Sequence, residues 1–205
     1  MKMHQATMER LPAGRENSQS LPDNFYETIK PRLRLSIGKE LRTARRVLDL
    51  GCGNCDLDRY LADKYRLKVT GVDISDGSFP EGQENREAEQ PLVRCIRADA
   101  SHLNFIRDAE MDAAVSVWAL HEMKDMRGAL CEAYRVLRPN GKILIVDFPK
   151  GSLAQRLWNE NYLTSSEIGK LLKDAGFVDV CVQTIHNGQL TWAMGFRPPH
   201  ASRKA

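Results

Sequence analysis

The chain has 205 residues, 42% hydrophobic and 28% charged, with a formal net charge of +3. That length holds one domain with a full core and is tight for two, and the balance is that of a folded soluble protein. No apolar run approaches the ~18 residues a membrane helix needs, the opening MKMHQATMER has no signal-peptide core, and five scattered cysteines (52, 55, 95, 131, 181) make no disulfide framework. The reading is a cytoplasmic, reduced protein with no membrane partner.

Residues 1–20 are polar, contain Pro12 and Gly14, and read as a loose arm. A single domain is expected over 21–198, followed by a tail at 199–205. Its first element is a leading helix within 21–45, where Phe25, Ile29, Leu33, Ile37 and Leu41 recur every fourth residue as an inner face. Pro31 is expected to kink this helix or to start a second one. Residues 30–46 hold seven Lys/Arg against one acid, Glu40. No aromatics interleave with these charges, so they read as the wet side of the helix and not as a nucleic-acid surface.

Beyond the helix the pattern alternates. RVLDL is a short apolar strand, DLDRYLADKY a helix with Leu57 and Leu61 one turn apart, and KVTGVDI a strand. A polar stretch at 75–91, with room for one short helix, precedes the strands LVRCIRAD and AAVSVWAL. The helix DMRGALCEAYRVL turns Leu130, Ala133 and Leu137 inward and stops at RPNG, before the β-branched strand KILIVDF. TSSEIGKLLKDAGF opens with a capping box, Thr164 and Glu167, and ends on Gly176. Two strands then meet at the Asn-Gly of HNGQ. Strands alternating with helices imply right-handed crossovers. The expected fold is α/β, a doubly wound, mostly parallel seven-stranded sheet with a C-terminal antiparallel hairpin.

The chemistry concentrates in VLDLGCGNCD. A strand ending in Gly51-x-Gly53 and feeding a helix lets backbone approach a ligand where a Cβ would block it. Asp73 ends the next strand 22 residues after Gly51, the spacing of an acid that accepts hydrogen bonds from ribose hydroxyls. Asp49, Asp73 and Asp99 are expected to form an electronegative rim that suits an amine, a ribose and an adenine better than a pyrophosphate.

These segments, in this order, resemble the class I S-adenosylmethionine-dependent methyltransferases. VLDLGCGNCD looks like their first motif, VTGVDIS the second, RADASHLNF the third and AAVSVWALHEM the fourth, and EAYRVLRPNGKILIVDF is similar to the segment after it. The resemblance covers roughly residues 24–197, with the nearest look to small-molecule and quinone C-methyltransferases. It implies a Rossmann-like methyltransferase fold with S-adenosylmethionine as cofactor. Gly51 and Gly53 would line the methionine moiety, with Asp49 at its amino group. Asp73 would grip the ribose, Ile74 would lie against the adenine, and Asp99 and Ala100 would reach its edge. Trp118 would close over the cofactor near the reacting methyl. Cys55 departs from the family, which often has Gly there; Cys52 and Cys55 read as small packing residues, since no second ligand pair supports zinc.

His121 and Glu122, just after the fourth strand, are the candidates for a general base, His121 by resemblance and because imidazole titrates near neutrality. No metal is expected. Substrate contacts are expected from Tyr26 (with Phe25) on the leading helix and from a cap segment at 149–164, where Trp158 and Tyr162 stand four apart. The expected function is methyl transfer to a small molecule, with the acceptor and oligomeric state open. The alternatives are a non-catalytic adenosyl-binding protein, a protein-side-chain methyltransferase, and an NAD-dependent oxidoreductase. Against the last, a dinucleotide motif's third glycine would fall at Asp56. No Asn/Asp-Pro-Pro-Tyr/Phe motif follows the fourth strand, which disfavours amide or adenine N-methylation.

Overall fold

A computed structural model describes residues 21–75, 79 and 92–199. The expected arm at 1–20, the body of the polar stretch at 75–91 and the tail beyond Pro199 lie outside the described residues. The strands are β1 (Arg46–Leu50), β2 (Lys68–Asp73), β3 (Val93–Arg97), β4 (Met111–Val117), β5 (Leu137–Asp147), β6 (Val178–Ile185) and β7 (Leu190–Phe196). They form one sheet in the order β3-β2-β1-β4-β5-β7-β6. Pairing is parallel from β3 to β5, and β7 inserts antiparallel between β5 and β6. The winding reverses between β1 and β4, so the crevice over their carboxyl ends is the place where doubly wound sheets accept ligands.

Both faces are covered, which is why the strands read as continuous apolar runs. Val47, Val69, Ala113, Val115, Leu144 and Val146 face α1 (Phe25–Leu41) and α2 (Asp56–Tyr65). Leu48, Leu50, Val72, Ala114, Ile143 and Ile145 face α3 (Met126–Val136) and α5 (Ser165–Asp174). A short α4 (Leu153–Trp158) lies on the α1 side, where Leu153 and Ala154 are buried. Among the described residues no helix is long and apolar enough to cross a membrane.

Three local expectations need correction. The leading helix runs unbroken through Pro31: the ring sits on the exposed side, and the single hydrogen bond it forfeits is outweighed by Tyr26, Ile29, Leu33, Ile37 and Leu41 buried along the other side. RPNG does not separate helix from strand. It is the start of β5, where the pairing with β4 jumps from Met111↔Leu137 to Ala113↔Lys142 across a bulge. The fourth strand lies earlier than expected and ends at Val117; Trp118 adopts φ 59 and a 3-10 turn covers Leu120–Glu122.

The capping box on α5 is formed: the Thr164 side chain accepts from the Glu167 amide, and Glu167 accepts from the Thr164 amide at 2.7 Å. Thr164→Ala should cost ~1 kcal/mol and lower the melting midpoint by about 2–4 °C, read by differential scanning calorimetry.

Candidate active site

The chain leaves β1 under the end of β2. The Gly51 and Cys52 amides both donate to the Val72 carbonyl, at 2.8 and 3.1 Å, and the Gly53 amide donates to Asp73 Oδ2 at 2.9 Å. Gly51 (φ 76) and Gly53 (φ 52) are both left-handed. A Cβ on Gly51 would collide with the Cβ of Ala119, whereas nothing lies within 4 Å of a Cβ built on Gly53. One glycine therefore admits the segment after β4, and the other opens a cradle.

Cys55 is left-handed as well, φ 58, at the N-cap of α2. An L-residue there costs roughly 1–2 kcal/mol, which explains why glycine is the ordinary occupant. Its buried sulfur is bonded to Cys95 of β3, and the free, buried Cys52 thiol lies 3.6 Å from it. The expectation of reduced packing cysteines is thus corrected for Cys55, which ties the loop to an outer strand. Cys95 is the register partner of Gly71, so its side chain projects on the side where Gly71 leaves room. Forty residues of separation hide this pairing from the sequence.

The three acids do not form one rim. Asp49 is buried at 2% exposure, with Oδ1 lacking any partner, and it faces Asp58 of α2, which is fully buried with both oxygens unpartnered. Burial drives the Asp49 carboxyl well above the usual range, and the charges of Asp58 and Asp73 add to this. Burial pushes Asp58 up to about 6, against the opposing influence of the facing Asp49 side chain and the charge of Arg59. Asp73, half-buried, accepts from the Gly53 and Ser75 amides. Asp99 is exposed, and the backbone and hydroxyl of Ser101 hold it below the usual range. Ile74 stands 64% exposed past the end of β2, and Ala100 packs half-buried near Asp99.

Across the crevice the walls are aromatic. The Trp118 ring stacks on Phe148 with centroids 5.3 Å apart, Tyr26 meets both edge-on, and Trp158 leans on Tyr26 and Phe148. The indole nitrogen of Trp118 is buried without a partner. Tyr26 is 3% exposed and its hydroxyl accepts from the Ala154 amide, so it is a wall and not a free contact. Trp158 and Tyr162 do not share a helix face. Asn159 ends α4 with φ 53, leaving Trp158 47% exposed and folding Tyr162 inward to 6%.

His121 sits in the 3-10 turn with its ring buried. Nδ1 lies 2.7 Å from Asp147 Oδ1, the His121 amide donates to Asp147 Oδ2 at 3.0 Å, and the Phe148 amide donates to Oδ1 at 2.8 Å. Nε2 faces Glu160 Oε2 at 3.1 Å, and the Tyr162 hydroxyl donates to that same oxygen. Glu122, mostly solvated, has Oε1 3.8 Å from Nε2. Burial alone would push the imidazole down, but Asp147, with Glu160 and Glu122, outweighs it and the net shift is upward. His121, Glu122 and Glu160 place ligand atoms within 4.8 Å of one another and could hold a divalent cation; Cys52, Cys55 and Asp58 are as close, but the Cys55 sulfur is bonded to Cys95 and the two groups left make no such set.

The structure therefore brings together Asp49, Gly51, Gly53 and Asp73 around the loop, and Tyr26, Trp118, His121, Trp158 and Tyr162 around Phe148. Sequence reasoning missed Asp58, Asp147, Phe148 and Glu160. Two had a signal: Asp147 ends a buried strand as Asp73 does, and Asp58 lies three residues from Leu61 on the apolar side of its helix.

Residues 48–145 match the family model described as a methyltransferase domain. An O-methyltransferase of Penicillium expansum is 30% identical over 172 residues, covering 78% of this chain and 62% of its own length. A 2-phytyl-1,4-naphtoquinone methyltransferase of Nostoc punctiforme is 34% identical over 129 residues, covering 60% and 56% respectively. Among solved structures, a SAM-dependent methyltransferase from Archaeoglobus fulgidus superposes with a TM-score of 0.67 at 18% identity, over 83% of this chain and 93% of its own. That likeness is one of fold. The chain spans less than two thirds of the length of these sequence relatives.

An NMR titration of the His121 ring should give a pKa above the ordinary value of about 6.5, falling in Asp147→Asn as the carboxylate is removed. Because the folded value is raised, the stability it adds is fully present below the unfolded pKa and is lost as pH rises through the folded one.

Proposed function

We propose that the chain is a class I S-adenosylmethionine-dependent methyltransferase, a reading that the methyltransferase-domain match and the O-methyltransferase relative support, and that it moves the methyl group of S-adenosylmethionine to a small-molecule acceptor, leaving S-adenosylhomocysteine. One observation carries the reading: Ala119 packs onto Gly51, which sets the Asp147-held imidazole of His121 beside the glycine loop. The residues present fit an adenosyl cofactor. Asp49 Oδ1 is a buried acceptor without a donor, Gly53 faces open space, and Ile74 offers an exposed apolar surface at the ribose-side acid, Asp73.

In this reading Asp49, Gly51 and Gly53 hold the methionine end, Asp73 the ribose, and Ile74, Asp99 and Ala100 the adenine. The bound sulfonium supplies an already activated methyl for in-line displacement, so the protein's main task is alignment, which can supply ~7–11 kcal/mol of the barrier. Positive charge disperses as the methyl leaves, and the Trp118–Phe148 wall keeps that space dry.

His121 is the general base for an acceptor with a weakly acidic hydroxyl. Asp147 fixes Nδ1 as the protonated nitrogen and stabilises the imidazolium, leaving Nε2 to take the acceptor's proton. Glu160 surrounds Nε2 from the cap segment at 149–164, so an acceptor hydroxyl reaches the nitrogen by displacing that half-exposed carboxylate. Glu122 adds negative charge nearby and is a secondary member. Trp158 and Tyr162, with Tyr26 behind them, would give an aromatic acceptor its wall. An O-methyltransferase and a naphthoquinone methyltransferase among the relatives support a phenol or quinol as the acceptor class.

The test is a thermal shift with S-adenosylmethionine, S-adenosylhomocysteine and NAD, on the wild type and Asp73→Ala. At a hundredfold excess over Kd a ligand adds ~2.7 kcal/mol, moving the midpoint by roughly 5–10 °C. Both adenosyl compounds should stabilise the wild type and fail with the variant, while NAD does neither. Stabilisation by NAD alone would overturn the assignment. With a phenolic acceptor, kcat should rise with pH through the elevated His121 pKa and drop at least ~100-fold in His121→Ala.

A further inference from the structure

Beside the glycine loop lies a pair of carboxyl groups, Asp49 and Asp58, whose shared burial the methyl-transfer reading leaves unexplained. Asp49 is the register partner of Gly71 on β2, and Gly71 has no side chain to fill the space above α2. Asp58 fills it: a Cβ on residue 71 would overlap Asp58 Oδ2 and crowd Cys52. Three oxygens, Asp49 Oδ1 and both of Asp58, have no N–H or O–H donor among the described residues. Two adjoining carboxylates cannot both stay ionised there, because each is stripped of water and each repels the other. A proton between them supplies the donor that is missing.

We propose that Asp49 and Asp58 share one proton and release it to solvent when the cationic methionine end of the cofactor docks, making Asp58 a positioning residue for the cofactor loop. The inference rests on the cofactor reading above. The groups facing the pair agree with it. Asp73 from β2 adds negative charge, and the Cys52 thiol is pushed up by burial and by these same carboxylates. Arg59 of α2 is the facing cation: its Nη2 holds Asp56 at 2.6 Å, and its Nη1 is buried without a hydrogen-bond partner, so neither nitrogen bonds the pair. An arriving ammonium supplies what this arrangement lacks, a cationic donor bonded to the pair, which favours its ionised form. Only an O–H bond is broken, and its proton leaves to buffer. Cofactor affinity should therefore rise with pH, by up to about tenfold per unit for one proton, until the free pair has lost it.

The experiment is isothermal titration of S-adenosylhomocysteine in buffers of different ionisation enthalpy, at a pH more than a unit below the ligand amine's ordinary pKa of about 7.7–8.0. The wild type should release close to one proton. Asp58→Asn, whose amide can donate to Asp49, should release none while melting near the wild type. Heats independent of buffer in the wild type, or equal release by the variant, would overturn the proposal. If neither adenosyl compound binds, the cofactor reading fails instead, and difference infrared spectroscopy tests the pair directly. A protonated-carboxyl band at neutral pH that vanishes in Asp49→Asn and Asp58→Asn supports a shared proton; no such band refutes it.

Discussion

The site depends on how the chain gets out of β1. One carbonyl, Val72, accepts both the Gly51 and Cys52 amides, and Asp73 accepts the next available amide, at Gly53. Those bonds pin the loop to the end of β2 and force left-handed backbone at residues 51, 53 and 55. Two of the three are glycines, for which the conformation is nearly free, so the strain falls on Cys55 alone. Everything above follows from that turn. It starts α2 where Asp58 meets Asp49, and it clears the spot at Gly51 into which Ala119 fits, which in turn sets the position of His121.

Two aspartates at strand ends show how environment divides one residue type into opposite tasks. Asp147 receives the His121 amide, the His121 ring and the Phe148 amide, and three donors satisfy a carboxylate fully even at 1% exposure. Asp49 is equally buried on the neighbouring side of the crevice, yet its Oδ1 meets no donor and its near neighbour is another acid. Without a donor to the charged form, a buried carboxyl such as Asp49 finds the neutral form cheaper. The count of backbone amides reaching each oxygen, not depth, separates the two.

That distinction marks what the sequence could tell. The seven strands, the α5 capping box and the hairpin were legible because each is written locally, in short apolar runs, in Thr164-x-x-Glu167 and in Asn187-Gly188. The glycine loop and Asp73 were legible because their spacing carries the geometry. The bond between Cys55 and Cys95 was not, since it exists only through the neighbouring of β2 and β3. Nor was the short fourth strand: WAL is as apolar as what precedes it, and only the tertiary need to turn Trp118 onto Phe148 ends the strand at Val117. Tyr162 moved off the expected helix face for a similar reason, because Asn159 takes a left-handed cap that no periodicity announces.

The two halves of the sheet carry separable work. β1, β2 and β3 end in the loop, Asp73 and the segment leading to Asp99, the groups that the proposed function assigns to the adenosyl cofactor. β4 and β5 end in Trp118, His121, Asp147 and Phe148, the groups that under the same proposal face the methyl acceptor. The halves touch where Ala119 meets Gly51, and both residues there are nearly without side chain. A larger group on either would shift the base relative to the loop, while substitutions in the cap around Trp158 and Glu160 would leave that distance alone. On the proposed function, the architecture therefore fixes the separation between cofactor and base in backbone, and would leave acceptor choice to exposed side chains on a segment that packs against the site from outside.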